Sequence, residues 1–145
     1  MYRSFLLASA LAAAAFTNAQ QYVHQVLVLN EGYFNFDTQT QDVPVTLGTY
    51  DPVAGTYTTV ATIAEARFGN HVGVDGDAVF VAADHRLLKY DANTFALLDE
   101  AEVAGIRRFA FWNDALVITR GEVGGLSNYC EVRDKNTLDL LYVID

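Results

Sequence analysis

The chain has 145 residues, 52% of them hydrophobic, and a formal net charge of −9 at pH 7. Lys89 and Lys135 are its only lysines, and no basic stripe alternates with aromatic residues, so the sequence lacks the positive surface that binds nucleic-acid phosphates. Nucleic acid is therefore excluded as an expected partner. With Cys130 as its single cysteine, the chain cannot form an intramolecular disulfide.

The N-terminus has the pattern of a secretory signal peptide. Arg3 precedes an apolar run from Phe5 to Phe16, and the small residues that end at Ala19 fit a cleavage site. The sequence predicts a signal peptide over residues 1–19, whose removal would take the net charge from −9 to −10. The apolar run is shorter than the ~20 residues of a bilayer-spanning helix. We therefore expect an exported protein (periplasmic, cell-surface or secreted) with no membrane span after cleavage.

Beyond Val23 the apolar segments are short, rich in Val, Leu, Phe, Tyr and Thr, and bounded by Gly, Asp or Asn, which is typical of β-strands. Three similar turns begin at Asp51, Asp91 and Asp134, and these aspartates are 40 and 43 residues apart. This is the period of a four-stranded propeller blade. The sequence predicts an all-β chain, a β-propeller of four-stranded antiparallel blades of which about three are present.

The predicted blades are residues 23–63, 71–103 and 106–144, in a partial propeller over residues 20–145. Helix-forming residues between Phe95 and Val103 are predicted as a strand, because the other repeats have a strand at this place. The predicted strands are Val23–Asn30, Val45–Tyr50 and Thr56–Ile63; His71–Val74, Ala78–Ala83, Arg86–Tyr90 and Phe95–Val103; and Ile106–Phe111, Ala115–Thr119, Asn128–Arg133 and Leu138–Ile144.

The first repeat lacks an innermost strand, which a C-terminal segment usually supplies when a propeller ring closes. Propellers typically have 4 to 8 blades. We expect this sequence to be the N-terminal portion of a longer protein, with the remaining blades in the same polypeptide.

The aspartate turns are predicted to be structural. Each carboxylate can accept a hydrogen bond from the backbone two residues on, and Gly55, Asn93 and Asn136 are residue types that tolerate the left-handed backbone angles expected in such a turn. Calcium binding is the weaker alternative, because it needs six or more oxygens around one ion.

Function is expected on the opposite face, where the connecting segments differ between repeats. Arginines near aromatic residues suit a planar or anionic ligand. No catalytic signature appears, and we expect no cofactor or metal; a zinc site at His71 and His85 with Asp84 would need further converging ligands. The candidate ligand-binding residues are Tyr33, Phe34, Arg67, Phe68, His71, His85, Arg107, Arg108 and Arg120.

Four segments carry a family resemblance: Val26–Gly32 (Val-Leu-Val-Leu-Asn-Glu-Gly), the strands Val79–Asp84 and Leu116–Gly121, and Tyr90–Thr94. In these segments the chain resembles the exported YncE-like propellers, whose repeats contain a Tyr-Val-Thr strand. The first segment is similar to the opening of their first blade, the two strands look like their second strands, and the last segment looks like their corner. Some relatives are cell-surface cobalamin-binding proteins, which implies capture of a bulky ligand on the loop-rich face. Those relatives usually have a lipid-anchored cysteine, which this chain lacks at the cleavage site.

Three functions follow as hypotheses. The first is an exported noncatalytic binding propeller that presents variable loops to a small molecule or a surface protein. The second is a metal-dependent lactonase or hydrolase, to which Glu31, Asn70 and His71 could contribute. The third is a surface adhesion or assembly module without a small ligand. Fold analogy does not choose among them.

Overall fold

The computed structural model of the protein describes residues 25–121 and 124–144. All regular structure in these residues is β-strand, in antiparallel sheets, so the predicted all-β class is confirmed. The predicted signal peptide, residues 1–19, lies outside the described residues, as do Glu122 and Val123. Within the two described stretches, no helix is long and apolar enough to cross a membrane.

The first sheet has three strands and an inserted hairpin. The hairpin lies where the sequence indicates only a variable loop, because its Thr, Gln and Asp residues do not form an apolar strand pattern. The sheet order is β1 (Val26–Asn30), β4 (Val45–Asp51) and β5 (Thr56–Ile63), and the hairpin pairs β2 (Tyr33–Asn35) with β3 (Thr40–Val43).

The second and third sheets each have four strands in sequential order, and every strand starts and ends within two residues of its predicted position. The segment with helix-forming composition is a strand, as predicted. The second sheet contains β6 (Gly69–Asp75), β7 (Ala78–Ala83), β8 (Arg86–Asp91) and β9 (Leu97–Glu102). The third contains β10 (Ile106–Trp112), β11 (Ala115–Arg120), β12 (Cys130–Asp134) and β13 (Leu140–Ile144).

The corner turns show which strands are equivalent. The turn at Asp51 follows β4, the turn at Asp91 follows β8, and the turn at Asp134 follows β12. Strand β1 therefore takes the place of β7 and β11. Among residues 25–121 and 124–144, the first sheet has no counterpart of β6 and β10.

The core lies between the sheets, and β7 contributes to both of its layers. Successive side chains of a strand point to opposite faces, so Val79 and Val81 pack toward the first sheet while Phe80 and Ala82 pack toward the third. Burying a Val or Phe side chain contributes about 1.5–3 kcal/mol. The first core layer includes Val45, Leu47, Ile63 and Leu88, and the second includes Leu87, Phe109, Leu116 and Ile118.

On the outer face of the first sheet, the ring of Tyr57 lies directly over Gly48. A Cβ added at Gly48 would meet the Tyr57 hydroxyl oxygen at 2.1 Å, so no larger residue fits beneath the ring. Gly48 is buried, whereas Tyr57 is 49% exposed. The glycine thus allows the tyrosine to lie flat on the sheet.

The three corner turns share one hydrogen-bond pattern, and the predicted role of their aspartates is confirmed. Each Oδ1 accepts from the backbone N–H groups two and three residues on. The distances are 2.8 and 3.0 Å from Val53 and Ala54 to Asp51, 2.9 and 2.7 Å from Asn93 and Thr94 to Asp91, and 2.6 and 3.0 Å from Asn136 and Thr137 to Asp134.

The predicted left-handed positions in two of these turns are wrong. Gly55 has a φ of 67°, but the equivalent residues are Phe95 at 57° and Leu138 at 58°, not Asn93 and Asn136. Each left-handed residue donates its N–H to the carbonyl of the aspartate four residues before it, and its φ then redirects the chain into the next strand. Leu138 is buried and Phe95 half-buried, so packing offsets a strain of about 1–2 kcal/mol.

Candidate functional site

One end of the sheets collects the irregular connections. Successive connections of an antiparallel sheet alternate between its two ends, so the links β5–β6, β7–β8, β9–β10 and β11–β12 emerge opposite the corner turns. Backbone hydrogen bonds join neighbouring links: Asp84 donates to Phe68 at 2.8 Å, and Gly121 donates to Gly105 at 2.8 Å. We call this end, residues 31–44, 64–68, 84–85, 103–105, 121 and 124–129, the loop face.

Arg67 and Asp84 form a two-pronged ion pair at the centre of the loop face. The Nε of Arg67 donates to Oδ2 of Asp84 at 2.8 Å, and its Nη2 donates to Oδ1 at 2.7 Å. The Asp84 side chain is only 9% exposed, whereas that of Arg67 is 47% exposed. The hydrogen bonds from Arg67 lower the pKa of Asp84, and those to Asp84 raise the pKa of Arg67. Both groups are therefore charged at neutral pH, and the guanidinium is held in place.

Two phenylalanines flank this arginine, and a third packs against both of them. The Cζ of Arg67 lies 6.0 Å from the ring centroid of Phe34 and 5.6 Å from that of Phe68, within cation–π range. Phe36 meets Phe34 edge-on at 5.1 Å and stacks with Phe68 at 6.0 Å. We call Phe34, Phe36, Arg67 and Phe68 the aromatic–arginine cluster.

The Asn-Glu-Gly sequence at residues 30–32 forms the base of the β2–β3 hairpin. Oδ1 of Asn30 accepts from the N–H of Gly32 at 3.2 Å, and the carbonyl of Glu31 accepts from the N–H of Gly69 at 2.9 Å. Gly32 has a φ of 79°, and a Cβ there would lie 2.9 Å from the carbonyl oxygen of Val43. These contacts attach the hairpin, and with it Phe34 and Phe36, to the second sheet.

Two pockets adjoin the aromatic–arginine cluster and share Phe36 and Phe68. The hairpin pocket, of about 450 Å³, also contains Glu31, Tyr33, Phe34 and Asp37. The inter-sheet pocket, of about 250 Å³, also contains Arg67, Asn70, Asp84, Gly105 and Arg107.

The structure thus brings together five of the nine candidate residues. Tyr33, Phe34, Arg67, Phe68 and Arg107 line one or both pockets. His85 is exposed on the same face, with its Nδ1 3.6 Å from Oδ2 of Asp84. Their role in binding stays a prediction.

Phe36 and Asp84 belong to the site but are not among the nine residues that the sequence predicts. Phe36 has a signal, because it alternates with Phe34 in an apolar pattern of period two. The sequence indicates Asp84 only as a partner for His85, whereas in the structure its carboxylate pairs with Arg67.

His71 and Arg108 lie within strands, outside both pockets. The His71 ring meets Phe109 edge-on at 4.6 Å between β6 and β10. Its burial, and then the positive charge of Arg108, lower the pKa of His71. The neighbouring Asn70 donates from Nδ2 to the carbonyl of Ile106 at 2.9 Å. Two residues of the hydrolase hypothesis, Asn70 and His71, therefore make contacts between sheets.

Arg120 lies inside the protein rather than on the loop face. Its side chain is 12% exposed and is paired with Glu131, whose side chain is 4% exposed. Its Nε donates to the carbonyl of Ala104 at 2.8 Å, and its Nη1 donates to Oδ1 of Asn128 at 3.0 Å. These bonds connect two links of the loop face, so Arg120 positions the loops.

The metal-dependent hydrolase hypothesis requires several side chains that can hold one metal ion. In the part of the chain that the structure describes, no three His, Cys, Asp or Glu side chains are close enough to hold one metal ion.

No protein-family model matches the chain, and no curated protein matches it. Its fold is similar to the crystal structure of a protein of Bacteroides fragilis NCTC 9343 whose name describes it as exported, with a TM-score of 0.51 and 14% sequence identity. The likeness covers 88% of this chain and 44% of that one, so this chain spans less than half the length of the matched protein. At this identity the comparison establishes an all-β fold, and the YncE-like assignment stays a prediction.

Proposed function

We propose that the protein is an exported, noncatalytic binding protein whose three sheets are consecutive blades of a β-propeller. Export is supported by the predicted signal peptide and by the name of the structurally similar Bacteroides protein. The blade assignment is supported by the repeated four-strand order and by the packing of β1 against β6 and of β6 against β10.

Exposed apolar faces support further blades in the same polypeptide. On the outer face of the first sheet, Tyr50 and Tyr57 are exposed, and on that of the third sheet, Trp112 and Tyr142 are exposed. Equivalent faces between the sheets are covered by their neighbours. Propeller blades cover one another in this way around the ring.

The observation that supports a ligand site best is the convergence of the aromatic–arginine cluster from separate segments of the chain. Phe34 and Phe36 come from the hairpin, whereas Arg67 and Phe68 come from the β5–β6 link. A guanidinium fixed by Asp84 loses little conformational entropy when a ligand binds. The half-buried rings of Phe34 and Phe68 beside it, with the exposed ring of Phe36, supply apolar contact area.

A binding screen with face-specific variants tests the proposal. Small ligands of anionic, cationic, neutral and cobalamin type would be added to the protein, with binding followed by thermal shift and NMR. We expect Arg67→Ala or Phe68→Ala to weaken binding, and Val53→Ala, which changes an exposed side chain of the first corner turn at the opposite end of the sheets, to leave it intact. Ligand binding that is unaffected by both loop-face variants would disprove this location.

A further inference from the structure

The hairpin pocket contains two carboxylates whose charge is not compensated. Glu31 and Asp37 both line it, and there is no basic side chain among its lining residues. Within residues 25–121 and 124–144, neither carboxylate accepts a hydrogen bond or forms an ion pair. Two negative charges without partners attract a positively charged group. The hairpin pocket therefore favours a cation over an anion.

The arginines of the neighbouring loops do not cancel this charge. Arg67 donates to both carboxylate oxygens of Asp84, at 2.8 and 2.7 Å, so its positive charge is already compensated. Arg120 is paired with the buried Glu131, and Arg107 also has a partner. An anionic ligand would have to displace Asp84 from Arg67. A cation meets carboxylates that have no partner.

The accessible aromatic rings of the hairpin pocket favour the same charge. Phe68 stacks with Phe36 at 6.0 Å and has the Arg67 guanidinium 5.6 Å from its ring centroid, so little of its ring is open to a ligand. The exposed rings are those of Tyr33 and Phe36, which are 57% and 58% exposed and both line the pocket. Aromatic ring faces carry partial negative charge and attract cations.

The chemistry of the pocket distinguishes an organic cation from a metal ion. Ca²⁺ takes six or more oxygen ligands, and in the described parts of the chain no three His, Cys, Asp or Glu side chains could hold one ion. An alkylated ammonium group instead has an apolar surface that contacts ring faces while its charge is attracted to carboxylates. The pocket volume of about 450 Å³ accommodates a group of this kind.

We propose that the hairpin pocket binds a small organic cation with an alkylated ammonium group, which contacts the two free carboxylates and the two exposed rings. This inference rests on the proposed function and specifies the charge and chemical class of its ligand. Arg67 does not pair with this ligand. It supports the pocket through its contacts with Phe34 and Phe68.

Calorimetry with matched ligands tests the inference. The probes are choline, benzyltrimethylammonium and trimethyl-lysine, each compared with its neutral carbon analogue, in which a tert-butyl group replaces the trimethylammonium group. We expect at least one cation to bind, with an affinity at least tenfold above that of its analogue, which corresponds to about 1.4 kcal/mol. Added salt should weaken this binding, because it screens the attraction to exposed carboxylates.

Variants that remove charge without changing shape locate the binding. Glu31→Gln and Asp37→Asn should each weaken cation binding about threefold, and about tenfold together, since each removes one exposed charge pair. Phe36→Ala should also weaken it, through loss of the ring face. Glu65→Gln is the matched control: Glu65 is exposed on the loop face but does not line the hairpin pocket, so this variant should bind like the wild type.

The outcomes separate this inference from the proposed function. The inference is overturned if no cationic probe binds, or if the cations and their neutral analogues bind equally. An equal loss in Glu65→Gln would also overturn it, because the attraction would then come from the net charge of the protein. Binding of only neutral or anionic ligands, weakened by Phe68→Ala, would overturn the inference and leave the proposed function standing. Cation binding that no loop-face variant changes would overturn both.

Discussion

Arg120 donates to Glu131 at 3.1 Å in the interface between the second and third sheets, where each side chain is almost buried. Arg133 binds the other carboxylate oxygen at 2.6 Å, so two guanidinium groups hold one buried carboxylate. The equivalent residues of the second sheet are Ala83, Leu88 and Tyr90, which are all buried. The same strand positions therefore carry apolar packing in one sheet and an ion-pair network in the next.

Removing only the carboxylate should be costly. Glu131→Ala leaves two arginines in the interface without their shared partner, and we expect a loss of about 3 kcal/mol in the free energy of unfolding. Replacing the whole network with the second-sheet residues (Arg120→Ala, Glu131→Leu, Arg133→Tyr) should cost less, because no buried charge remains. Urea unfolding measures both variants. A triple variant less stable than Glu131→Ala would contradict this explanation.

Gly32→Ala should destabilise the protein more than Gly55→Ala. Both glycines have positive φ, but a Cβ at Gly32 meets the Val43 carbonyl at 2.9 Å, whereas a Cβ at Gly55 meets nothing within 4 Å. We expect about 1 kcal/mol for Gly55→Ala from backbone strain alone and about 2–3 kcal/mol for Gly32→Ala. Urea unfolding and hydrogen exchange of the hairpin amides provide the measurement. Equal losses would show that the base of the hairpin adapts to the extra atom.

The corner aspartates should make stability depend on pH in the acid range. Backbone N–H groups of Thr94 and Asn93 lower the pKa of Asp91, and those of Thr137 and Asn136 lower the pKa of Asp134. The folded state therefore favours the ionised carboxylates, and their stabilisation is complete above the unfolded pKa of about 3.9 and is lost as the pH falls below it. The variant Asp91→Asn with Asp134→Asn should lose less stability than the wild type between about pH 5 and pH 2. Parallel curves for the two proteins would refute this.

His71 should also make the stability of the protein depend on pH, in a higher pH range than the aspartates. Its burial lowers its pKa, so the unfolded state binds the proton more readily and stability falls as the pH drops below the unfolded pKa of about 6.5. Replacing the imidazole in His71→Phe should reduce the fall in the urea midpoint between about pH 7.5 and pH 5.5. His85→Phe is the control, because it also removes an imidazole but does so at an exposed position. An unchanged pH dependence in His71→Phe would assign the effect to another group.

The corner turns could be predicted from sequence because an aspartate carboxylate and the N–H groups two and three residues on are local neighbours. The left-handed residues were misplaced because Phe95 and Leu138 have poor intrinsic preference for that conformation, and only burial in the tertiary structure favours it. The strands of the second and third sheets lie where the sequence predicts them, because the repeats indicate the same order and spacing of strands.

The candidate site was predictable only in part. Variable segments between regular strands indicate the loop face, and Arg67 and Phe68 lie there as expected. Arg120 also lies next to a variable segment, at the end of a regular strand. Its side chain nevertheless points inward, because it pairs with Glu131, which is buried on the neighbouring strand. That pairing depends on the register of β11 and β12, which local sequence patterns do not contain.

The fit between Gly48 and Tyr57 also has an evolutionary consequence. A side chain at position 48 and a ring at position 57 cannot occupy the same space, since the tyrosine hydroxyl would lie 2.1 Å from the new Cβ. In homologous chains these two positions should vary together: glycine at 48 where 57 is a large aromatic residue, and a β-branched residue at 48 where 57 is small. A single substitution at position 48 is therefore disfavoured until position 57 has changed first.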